Sequence, residues 1–380
     1  MTTSADVLVV GAGIVGAACA WELAKTGLKV SVVDGSFPGA GATGAAMGHI
    51  VVMDDSEAQF SLSRYSQTLW DELSEDLPSN VEFERCGTIW VAGDDQEFAE
   101  VGRKAGYYHE RAVPAEILQA RALREAEPNL KEGFAGGLLI PGDSVVYPPA
   151  AAAFLLQKAV ESGATLHLGK AVIQLRHGSA RLADGTVMNA HKLINAAGQL
   201  AAKLSPGIPV KPRKGHLVIT DRYPGFLHHQ LVELGYLKSA HSLSSDSVAF
   251  NLQPRRTGQV LIGSSRQYDV EHDRVEPVIL SQMLNRAFDY MPGLRRLSSI
   301  RAWTGFRPAT PDKLPLIGPS QEDPTLYLAT GHEGLGITTS LATARLLRAQ
   351  LLNEAAPIPV DAYLPWRPIM RESQVEEGHA

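Results

Sequence analysis

The sequence predicts an α/β fold combined with an antiparallel β domain, and two observations carry this prediction. The first is an N-terminal succession of strand, glycine-rich turn, helix and second strand. The second is the later alternation between α/β segments and antiparallel-β segments, with no linker-like stretch between them. A chain of 380 residues suits one large domain or two interlocked domains. We therefore expect two domains threaded through one another rather than arranged in series.

The N-terminal motif reads VLVVGAGIVG at positions 7–16, and an acid, Asp34, ends the next apolar run. In this pattern Gly11 allows a tight turn, and Gly13 lets the backbone approach a pyrophosphate. Gly16 lets the helix pack closely on the strand. Asp34 stands where it would accept hydrogen bonds from an adenosine ribose. The motif predicts a Rossmann-like dinucleotide site.

The order of the surrounding elements supports this interpretation. We predict a strand over 7–10, a helix over 14–25 and a second strand over 30–33. The helix N-terminus would present free N–H groups to the phosphates. A signal peptide or membrane span is the alternative for this apolar start. It is disfavoured because Asp6 replaces a basic leader, glycines interrupt the run, and the run is short.

Further along, apolar spacing predicts an amphipathic helix around 60–73, helical structure over 95–127 and a helix ending near 162. The last predicted helix, over 337–352, would carry Arg345 and Arg348 on its outer face. Predicted strands lie between these helices, around Phe83 and Ile89–Val91 and at 137–140, 165–168, 171–175, 180–182, 192–195, 217–220, 248–253, 259–262, 314–317 and 325–329.

Composition excludes several classes of function. Hydrophobic residues make up 44% and charged residues 20%, which favours a sizeable core. A net charge of -6 argues against nucleic acid as the main partner. The two cysteines, Cys19 and Cys86, cannot form a disulfide framework or carry an iron–sulfur cluster alone. No metal site is expected, because no ligands stand at zinc or iron spacing. We expect a cytoplasmic protein, with a peripheral position on the inner membrane through partners as the alternative.

A second glycine-rich stretch favours FAD over NAD as the dinucleotide. Residues 35–44 follow Asp34 directly, where an NAD enzyme would complete a second mononucleotide half. Residues 331–336, GHEGLG, lie between a predicted strand and an apolar helix. Their amides could contact a flat ring, and the helix dipole would favour negative charge there. The alternative is an ordinary strand–helix turn. NADP is disfavoured because no Arg follows Asp34.

Several motifs together resemble the D-amino-acid oxidase/glycine oxidase superfamily. Besides the opening motif, these are GATG at 41–44, LINAAG at 193–198, GFRP at 305–308 and GHEGLG at 331–336. Within the superfamily, the chain looks most similar to β subunits of bacterial heteromeric dehydrogenases that act on D-hydroxyproline, proline, opines or glycine, the last being the hydrogen cyanide synthase type. The stretches MGHIVVMDD and ATGHEGLG resemble the D-hydroxyproline dehydrogenase branch.

This resemblance implies a glycine oxidase-like fold with a discontinuous FAD domain. We expect that domain over 1–84, 145–212 and 304–370. The substrate domain would span 85–144 and 213–303, built on a mixed or antiparallel sheet over the flavin.

The resemblance also implies the chemistry. A hydride would leave the α-carbon of a small amino or imino acid for flavin N5 and give an imine. Arg307 matches the arginine that binds the substrate carboxylate in glycine oxidase; the alternative is a solvated or salt-bridged surface arginine. His49 and His332 would flank the ring and assist amine deprotonation, because histidine titrates near neutral pH. The alternative for each histidine is a structural role.

Two polar residues on one predicted strand are candidates for substrate binding. Asn251 takes the place of a tyrosine found in glycine oxidase-like enzymes, and strand alternation puts Gln253 on the same face. A polar, solvent-facing side of the strand is the alternative.

The predicted FAD-binding residues lie in the glycine-rich segments and at the ends of the strands beside them. They are Gly11, Gly13, Ile14, Val15, Gly16, Asp34, Gly35, Ala42, Thr43, Met47, Gly48, His49, Val172, Ala197, Gly198, Gly331, Gly334, Leu335, Gly336, Ile337 and Thr338. We expect noncovalent binding, because no cysteine lies near 308–314, where some relatives attach flavin. Attachment through His49 is conceivable but not favoured.

The predicted function is that of a catalytic β subunit in a heteromeric FAD-dependent dehydrogenase, with D-hydroxyproline as the first substrate candidate. Its partners would be an α subunit and smaller subunits that carry a further electron relay. A stand-alone oxidase for glycine, D-amino acids or sarcosine is the first alternative. A subunit that holds FAD without turnover is the second, and an NAD dehydrogenase is the third.

Overall fold

The computed structural model describes residues 5–235 and 246–368. Two compact units divide the chain. The first comprises Met1–Val81, Tyr147–Pro212 and Phe306–Ala380, and the second comprises Glu82–Val146 and Arg213–Gly305. Residues 1–4 and 369–370, which the predicted FAD domain includes, lie outside the described residues.

The strands are β1 (Ala5–Val10), β2 (Val30–Val33), β3 (His49–Ile50), β4 (Thr88–Ala92), β5 (Glu116–Gln119), β6 (Gly136–Ile140), β7 (Ser144–Val145), β8 (Thr165–His167), β9 (Val172–Arg176), β10 (Ser179–Leu182), β11 (Val187–Asn195), β12 (Lys211–Thr220), β13 (Gln230–Glu233), β14 (Ser247–Pro254), β15 (Val260–Arg266), β16 (Ser299–Ala309), β17 (Leu316–Pro319) and β18 (Leu326–Thr330).

The α-helices are α1 (Ile14–Ala24), α2 (Ala42–Ala45), α3 (Glu57–Leu73), α4 (Asp95–Glu110), α5 (Ala120–Ala126), α6 (Pro148–Glu161), α7 (Ala201–Leu204), α8 (Pro277–Tyr290) and α9 (Gly336–Leu352). Among the described residues, none of these helices combines the length and the apolar character that crossing a membrane requires.

The first unit is built on a sheet in the order β17-β18-β11-β1-β2-β8. Its central strands are parallel, with Val10 of β1 in register with Asn195 of β11 and with Val33 of β2. The run Val7–Val10 is almost completely buried, as expected for a parallel strand covered on both faces. Helix α1 packs against α6 and α9.

Helix α9 differs from the prediction in the surroundings of its arginines. Arg345 and Arg348 do not form a solvated outer face, because both bind the carboxylate of Glu22 in α1, at 3.0 and 2.9 Å. Glu22 is only 4% exposed, so a buried charge is balanced by two cations from the neighbouring helix. The ion pairs fix α1 against α9, the two helices whose N-termini form the site described below.

The predicted helical structure over 95–127 was wrong in its middle part. Helix α4 begins at a cap in which Asp94 accepts a hydrogen bond from the Glu97 amide at 2.8 Å. It ends at Glu110, because Ala112 adopts a left-handed conformation and Pro114 cannot continue a helix. Strand β5 and helix α5 then follow.

The second unit is built on a mixed sheet in the order β16-β12-β15-β14-β13-β4-β6-β5. Strands β13 and β4 run parallel, and the other pairs whose registers are defined are antiparallel. One face carries apolar residues that pack under α8, among them Ile89, Leu231 and Leu252.

A buried carboxylate joins α8 to this sheet. Glu233 of β13 accepts hydrogen bonds from the Phe250 amide at 2.8 Å, from the Tyr290 hydroxyl at 3.0 Å and from the Arg286 guanidinium. The Tyr290 ring stacks on Phe250, with the ring centroids 4.2 Å apart. Burial, helped by the charge of Glu233, raises the pKa of Tyr290, which keeps this hydroxyl a hydrogen-bond donor.

Candidate cofactor-binding site

The turn between β1 and α1 is possible only with glycine. Gly11 has φ +114, and a Cβ there would lie 2.4 Å from the Ala196 carbonyl oxygen. A Cβ at Gly16 would lie 2.0 Å from the Gly11 carbonyl oxygen. Above Gly13, by contrast, the nearest atom to a Cβ is the Thr43 hydroxyl at 3.3 Å. The backbone is therefore packed tightly beneath the turn and accessible above it, as a bound pyrophosphate requires.

The N-terminus of α1 keeps unused hydrogen-bond donors. The Ile14 amide donates to the Thr43 hydroxyl at 3.0 Å, and the Ala17 amide closes the first turn on Gly13. In the described part of the chain, the amides of Val15 and Gly16 have no acceptor. Two N–H groups at the positive end of a helix dipole form an anion-binding site.

Asp34 is fixed beside this turn at the end of β2. One carboxylate oxygen accepts a hydrogen bond from the Ala12 amide, and the other accepts one from the Ser36 amide, both at 2.7 Å. Each oxygen keeps a lone pair for a further donor, such as a ribose hydroxyl. The neighbouring Gly35 leaves little room for a side chain, because a Cβ there would lie 3.1 Å from the Ala171 methyl.

The loop 331–336 forms a second backbone surface in the same unit. Gly331 has φ +79, and a Cβ there would lie 2.7 Å from the Thr310 methyl group. The Glu333 amide donates to the Pro308 carbonyl at 2.8 Å, and the Leu335 amide donates to the His332 carbonyl at 2.9 Å. Above Gly334, the nearest atom to a Cβ is Nε of Arg307 at 3.8 Å. The predicted carboxylate-binding arginine therefore lies along this loop.

The N-terminus of α9 follows this loop and resembles that of α1 in its free donors. The amides of Gly336, Ile337 and Thr338 have no acceptor within the residues that the structure describes. The position of a Cβ on Gly336 lies 3.9 Å from a methyl group of Val15, so the N-termini of α9 and α1 are close together. Two helix dipoles thus direct their positive ends towards one region of the unit.

The segment around Met47, Gly48 and His49 is joined to α9. The Thr338 hydroxyl donates to the His49 carbonyl at 2.8 Å and accepts from the Val51 amide at 3.3 Å. Met47 is buried, and Gly48 has φ +135. Nε2 of His49 is buried without a hydrogen-bond partner in the described part of the chain, which leaves it available to a ligand.

The two predicted catalytic histidines do not titrate near neutral pH. Burial lowers the pKa of His49 to about 3 and that of His332 to about 3, so both rings are neutral at physiological pH. His332 is 4% exposed, and its Nε2 lies 2.9 Å from the hydroxyl of Thr343, a residue of α9. Its ring is therefore held against α9, and its predicted part in amine deprotonation stays a prediction.

The loop after β11 closes the site below Gly11. Asn195, fully buried, donates to the Ala201 carbonyl at 3.0 Å and to the Ser205 hydroxyl at 2.8 Å. The side-chain oxygen Oδ1 of Asn195 accepts a hydrogen bond from the Ala197 amide at 3.2 Å. The Thr330 hydroxyl donates to the backbone carbonyl of Gly198 at 3.0 Å. Asn195 was not among the predicted site residues. A single polar residue at the end of a buried apolar strand is the sequence feature that could have indicated it.

The remaining predicted residues are distributed over both units. Val172 begins β9, half-buried, and packs at the edge of the first unit's core. Asn251 and Gln253 lie in the second unit, on β14, where both are buried. Among the described residues, no group of three or more His, Cys, Asp or Glu side chains could hold a metal ion.

The geometry of the first unit fits FAD. A dinucleotide needs donors for its pyrophosphate, a carboxylate for its ribose and a backbone surface for its ring. The α1 N-terminus, Asp34 and the loop 331–336 provide these groups in one unit. The free amides of α9 are further polar groups that the bound cofactor would satisfy.

The neutral state of His332 predicts how stability depends on pH. Its pKa is about 3 in the folded chain against 6.5 unfolded, so the unfolded state binds the proton more tightly. The free energy of unfolding is therefore highest, with respect to this group, above pH 6.5, where the ring is neutral in both states. It falls as the pH drops from 6.5 towards 3, because the unfolded state then takes up a proton that the folded state does not. The melting temperature of the wild type should therefore fall as the pH is lowered from 6.5 towards 3, and it should fall less in His332→Gln, which lacks this titrating group.

Melting curves by scanning fluorimetry of the wild type and of this variant would measure the effect. His191→Gln is the control, because that side chain is 75% exposed. Parallel pH profiles for the wild type and His332→Gln would contradict the assignment.

Comparison with known proteins agrees with the site. A family model described as "FAD dependent oxidoreductase" (DAO) matches residues 6–350. Hydrogen cyanide synthase subunit HcnC of Pseudomonas aeruginosa is 29% identical over 422 residues, covering 97% of this chain and 97% of that protein. Glycine oxidase of Geobacillus kaustophilus is 29% identical over 362 residues, covering 91% of this chain and 93% of that protein.

Solved structures agree as well. A crystal structure of glycine oxidase from Geobacillus kaustophilus superposes with a TM-score of 0.87 at 26% identity, covering 97% of this chain and 100% of that one. L-proline dehydrogenase from P. horikoshii shares the fold, with a TM-score of 0.85 at 23% identity, covering 100% of this chain and 99% of that one. The glycine turn, Asp34, the second glycine loop and the match to the family model over 6–350 together establish that this chain belongs to the DAO family of FAD-dependent oxidoreductases.

Proposed function

We propose that this FAD-dependent oxidoreductase oxidises a small amino or imino acid at the carbon between its nitrogen and its carboxylate. The observation that carries the proposal is the position of Arg307 along the loop that precedes α9, with Nε 3.8 Å from the Cβ position on Gly334. A guanidinium beside the ring-binding backbone is the group that would bind a substrate carboxylate in a two-pronged contact. Bound FAD supplies the acceptor for the hydride that leaves the substrate.

The residues of this chain would orient the substrate and hold its charge. Arg307 would bind the carboxylate and so fix which carbon faces the cofactor. The neutral ring of His49, with Nε2 unpartnered, would form a hydrogen bond to the substrate nitrogen. The free amides of α9 would stabilise negative charge that develops on the cofactor. Asn251 and Gln253 stay candidates for contacts to the rest of the substrate.

The substrate class follows from the relatives and from the resemblance of the sequence motifs. Glycine oxidase and L-proline dehydrogenase are named for a primary and a secondary amino acid. The motifs at 47–55 and 329–336 favour the D-hydroxyproline dehydrogenase branch, so D-hydroxyproline is the first substrate to test.

The first prediction concerns how FAD is held. The chain has two cysteines, and burial raises the pKa of Cys19 and of Cys86 to about 12, which keeps both as unreactive thiols. We therefore expect FAD to be bound noncovalently and released by acid. Gly13→Val should abolish loading, because a branched side chain would fill the space above the turn.

The measurement is the ratio of flavin to protein absorbance, before and after acid precipitation. Gly102→Val, in the second unit where a Cβ meets nothing within 4 Å, is the control and should load normally. Yellow colour that stays on the precipitated wild-type chain would refute noncovalent binding.

The second prediction concerns Arg307. Arg307→Ala should cost about 2–4 kcal/mol of transition-state stabilisation, or roughly 30- to 800-fold in kcat/KM, because a charge-assisted pair is lost. Arg307→Lys should restore only part of the activity, since an ammonium lacks the two-pronged geometry. FAD content should not change.

Steady-state kinetics with amino and imino acids would test this. Arg301→Ala is the matched control, because Arg301 lies on the same strand and is exposed. Wild-type kcat/KM in Arg307→Ala would show that another residue binds the carboxylate.

The third prediction concerns the electron acceptor. We propose that the chain is the catalytic β subunit of a heteromeric dehydrogenase, and the similarity to a hydrogen cyanide synthase subunit supports this. Two cysteines cannot form an iron–sulfur relay, so any relay would belong to a partner subunit, across an interface above about 1,000 Å2. The isolated chain should then lose its yellow colour with substrate anaerobically, reduce an artificial dye quickly and produce little hydrogen peroxide in air.

The second candidate is a stand-alone oxidase, which the similarity to glycine oxidase favours. Rapid, stoichiometric peroxide formation by the isolated chain would select that candidate and reject the heteromeric one.

A further inference from the structure

A small cavity lies between α1, α3 and α9, and all the residues that line it belong to the first unit. Helix α1 contributes Trp21 and Lys25, α3 contributes Glu72 and Leu73, and α9 contributes Arg345. The volume of the cavity is about 160 Å3, below the roughly 300–1,000 Å3 of pockets that take drug-sized ligands. The cavity therefore suits a ligand smaller than a drug molecule.

The cavity is separate from the helix N-termini that we propose for the cofactor. Trp21 and Lys25 follow Ile14, the first residue of α1, by about 10–17 Å along the helix axis. Arg345 follows Gly336, the first residue of α9, by about 14 Å. A ligand in the cavity would therefore leave the free amides of both helices to the cofactor.

Aliphatic side chains make up much of the cavity wall. Leu73 and Leu341 are buried, as are Ala18 and Ala344, and Leu69 is half-buried. The three leucines come from α3 and α9, and the two alanines come from α1 and α9. Such a wall favours a ligand with an apolar part, because contact with these side chains removes apolar surface from water.

Two cations line the cavity and keep hydrogen-bond donors. Nζ of Lys25 and Nη1 of Arg345 bind the carboxylate of Glu22 at 2.5 and 3.0 Å. Arg348 binds the same carboxylate at 2.9 Å, so three cations share one buried acid. The side chains of Lys25 and Arg345 are 33% and 37% exposed, and each has more N–H groups than its ion pair with Glu22 uses. Together they could bind a carboxylate from a ligand.

Two carboxylates line the same cavity from α3 and the turn that follows it. Glu72 and Asp76 are exposed, and neither side chain has a hydrogen bond or an ion pair within the residues that the structure describes. The charges of both kinds lie near Tyr65: burial raises the pKa of its hydroxyl, Arg345 lowers it, and Glu72 raises it. Opposite charges that do not bind each other therefore surround one small cavity.

This arrangement of charges restricts the ligand. Glu72 and Asp76 would repel a simple anion, and Lys25 and Arg345 would repel a simple cation. A neutral apolar molecule would take water away from charged groups without replacing the lost hydrogen bonds. A molecule that carries a carboxylate, an ammonium group and an apolar part satisfies both sets of charges and the aliphatic wall.

We propose that the cavity between α1, α3 and α9 is a binding site for a small amino acid in its zwitterionic form. Lys25 and Arg345 bind its carboxylate. Glu72 and Asp76 bind its ammonium group, and its apolar side chain packs among the leucines. The site is distinct from the proposed catalytic site and does not depend on the proposed function, because it shares no residue with either.

The test uses 1-aminocyclopentane-1-carboxylate, a zwitterion that has no hydrogen on its α-carbon and so cannot be oxidised there. Calorimetry is carried out on the FAD-loaded Arg307→Ala chain, which lacks the proposed catalytic carboxylate-binding residue. We expect the zwitterion to bind. Cyclopentanecarboxylate and cyclopentylamine, which each lack one of its charged groups, should bind about 10-fold or more weakly, because each loses one charge-assisted contact.

Two double variants in the same background locate the site. Glu72→Gln with Asp76→Asn should weaken binding of the zwitterion by about 10-fold or more, because the ammonium group loses both of its charged partners. Glu75→Gln with Asp361→Asn is the matched control: it changes the net charge equally at two exposed positions that do not line the cavity. The control should bind the zwitterion as the Arg307→Ala chain does. All four substitutions are on the surface, and equal FAD content and melting temperature would show that both variants fold.

Three outcomes would overturn the site: no binding of the zwitterion, equal affinity for the three probes, or equal affinity of the two double variants for the zwitterion. None of these bears on the proposed function, which is tested by turnover of amino or imino acids by the wild type. Conversely, absence of turnover would reject the proposed function and leave the calorimetry to decide on the cavity.

Discussion

The close approach of backbone to backbone at the end of β1 is the constraint on which the site depends. A Cβ at Gly16 would lie 2.0 Å from the Gly11 carbonyl oxygen, and a Cβ at Gly11 would lie 2.4 Å from the Ala196 carbonyl oxygen. Only glycine allows α1 to start so close to the sheet. Because α1 starts there, the Ala12 amide just before it can donate to Asp34, and the N-terminus of α9 can reach Val15.

Electrostatics then divides the first unit into regions with different roles. The N-termini of α1 and α9 offer positive helix-dipole ends and unused amides, which suit a pyrophosphate and the electron-rich edge of a reduced ring. Asp34, held by two backbone amides, offers the opposite charge to ribose hydroxyls. The ion pairs of Glu22 with Arg345 and Arg348 hold the two helices in the register that keeps their N-termini close.

Local patterns were predictable from the sequence, and long-range pairings were not. The glycine turn, Asp34 and the bounds of β2 follow from spacing over fewer than about thirty residues, because one βαβ unit contains them all. The partner of Glu22 lies 326 residues away, so nothing near Arg348 indicated that it would be partly buried. Pro114 was visible in the sequence as a helix breaker, whereas the left-handed conformation of Ala112 was not. Strand β5 depends on pairing with β6.

The candidate site shows the same division. The segments that we propose to bind FAD could be predicted from glycines and strand ends, whereas the surroundings of single side chains required the structure. His332 is an example, since the sequence does not show that its ring nitrogen lies 2.9 Å from the Thr343 hydroxyl.

The central claim is that one cofactor uses the N-termini of both α1 and α9. Amide hydrogen exchange, compared between the FAD-free and FAD-loaded protein, tests it most directly. We expect slower exchange in the loaded protein at residues 15–16 and at residues 336–338, with the turn at 256–258 of the second unit unchanged. Protection confined to residues 15–16, with residues 336–338 exchanging as in the FAD-free protein, would contradict it.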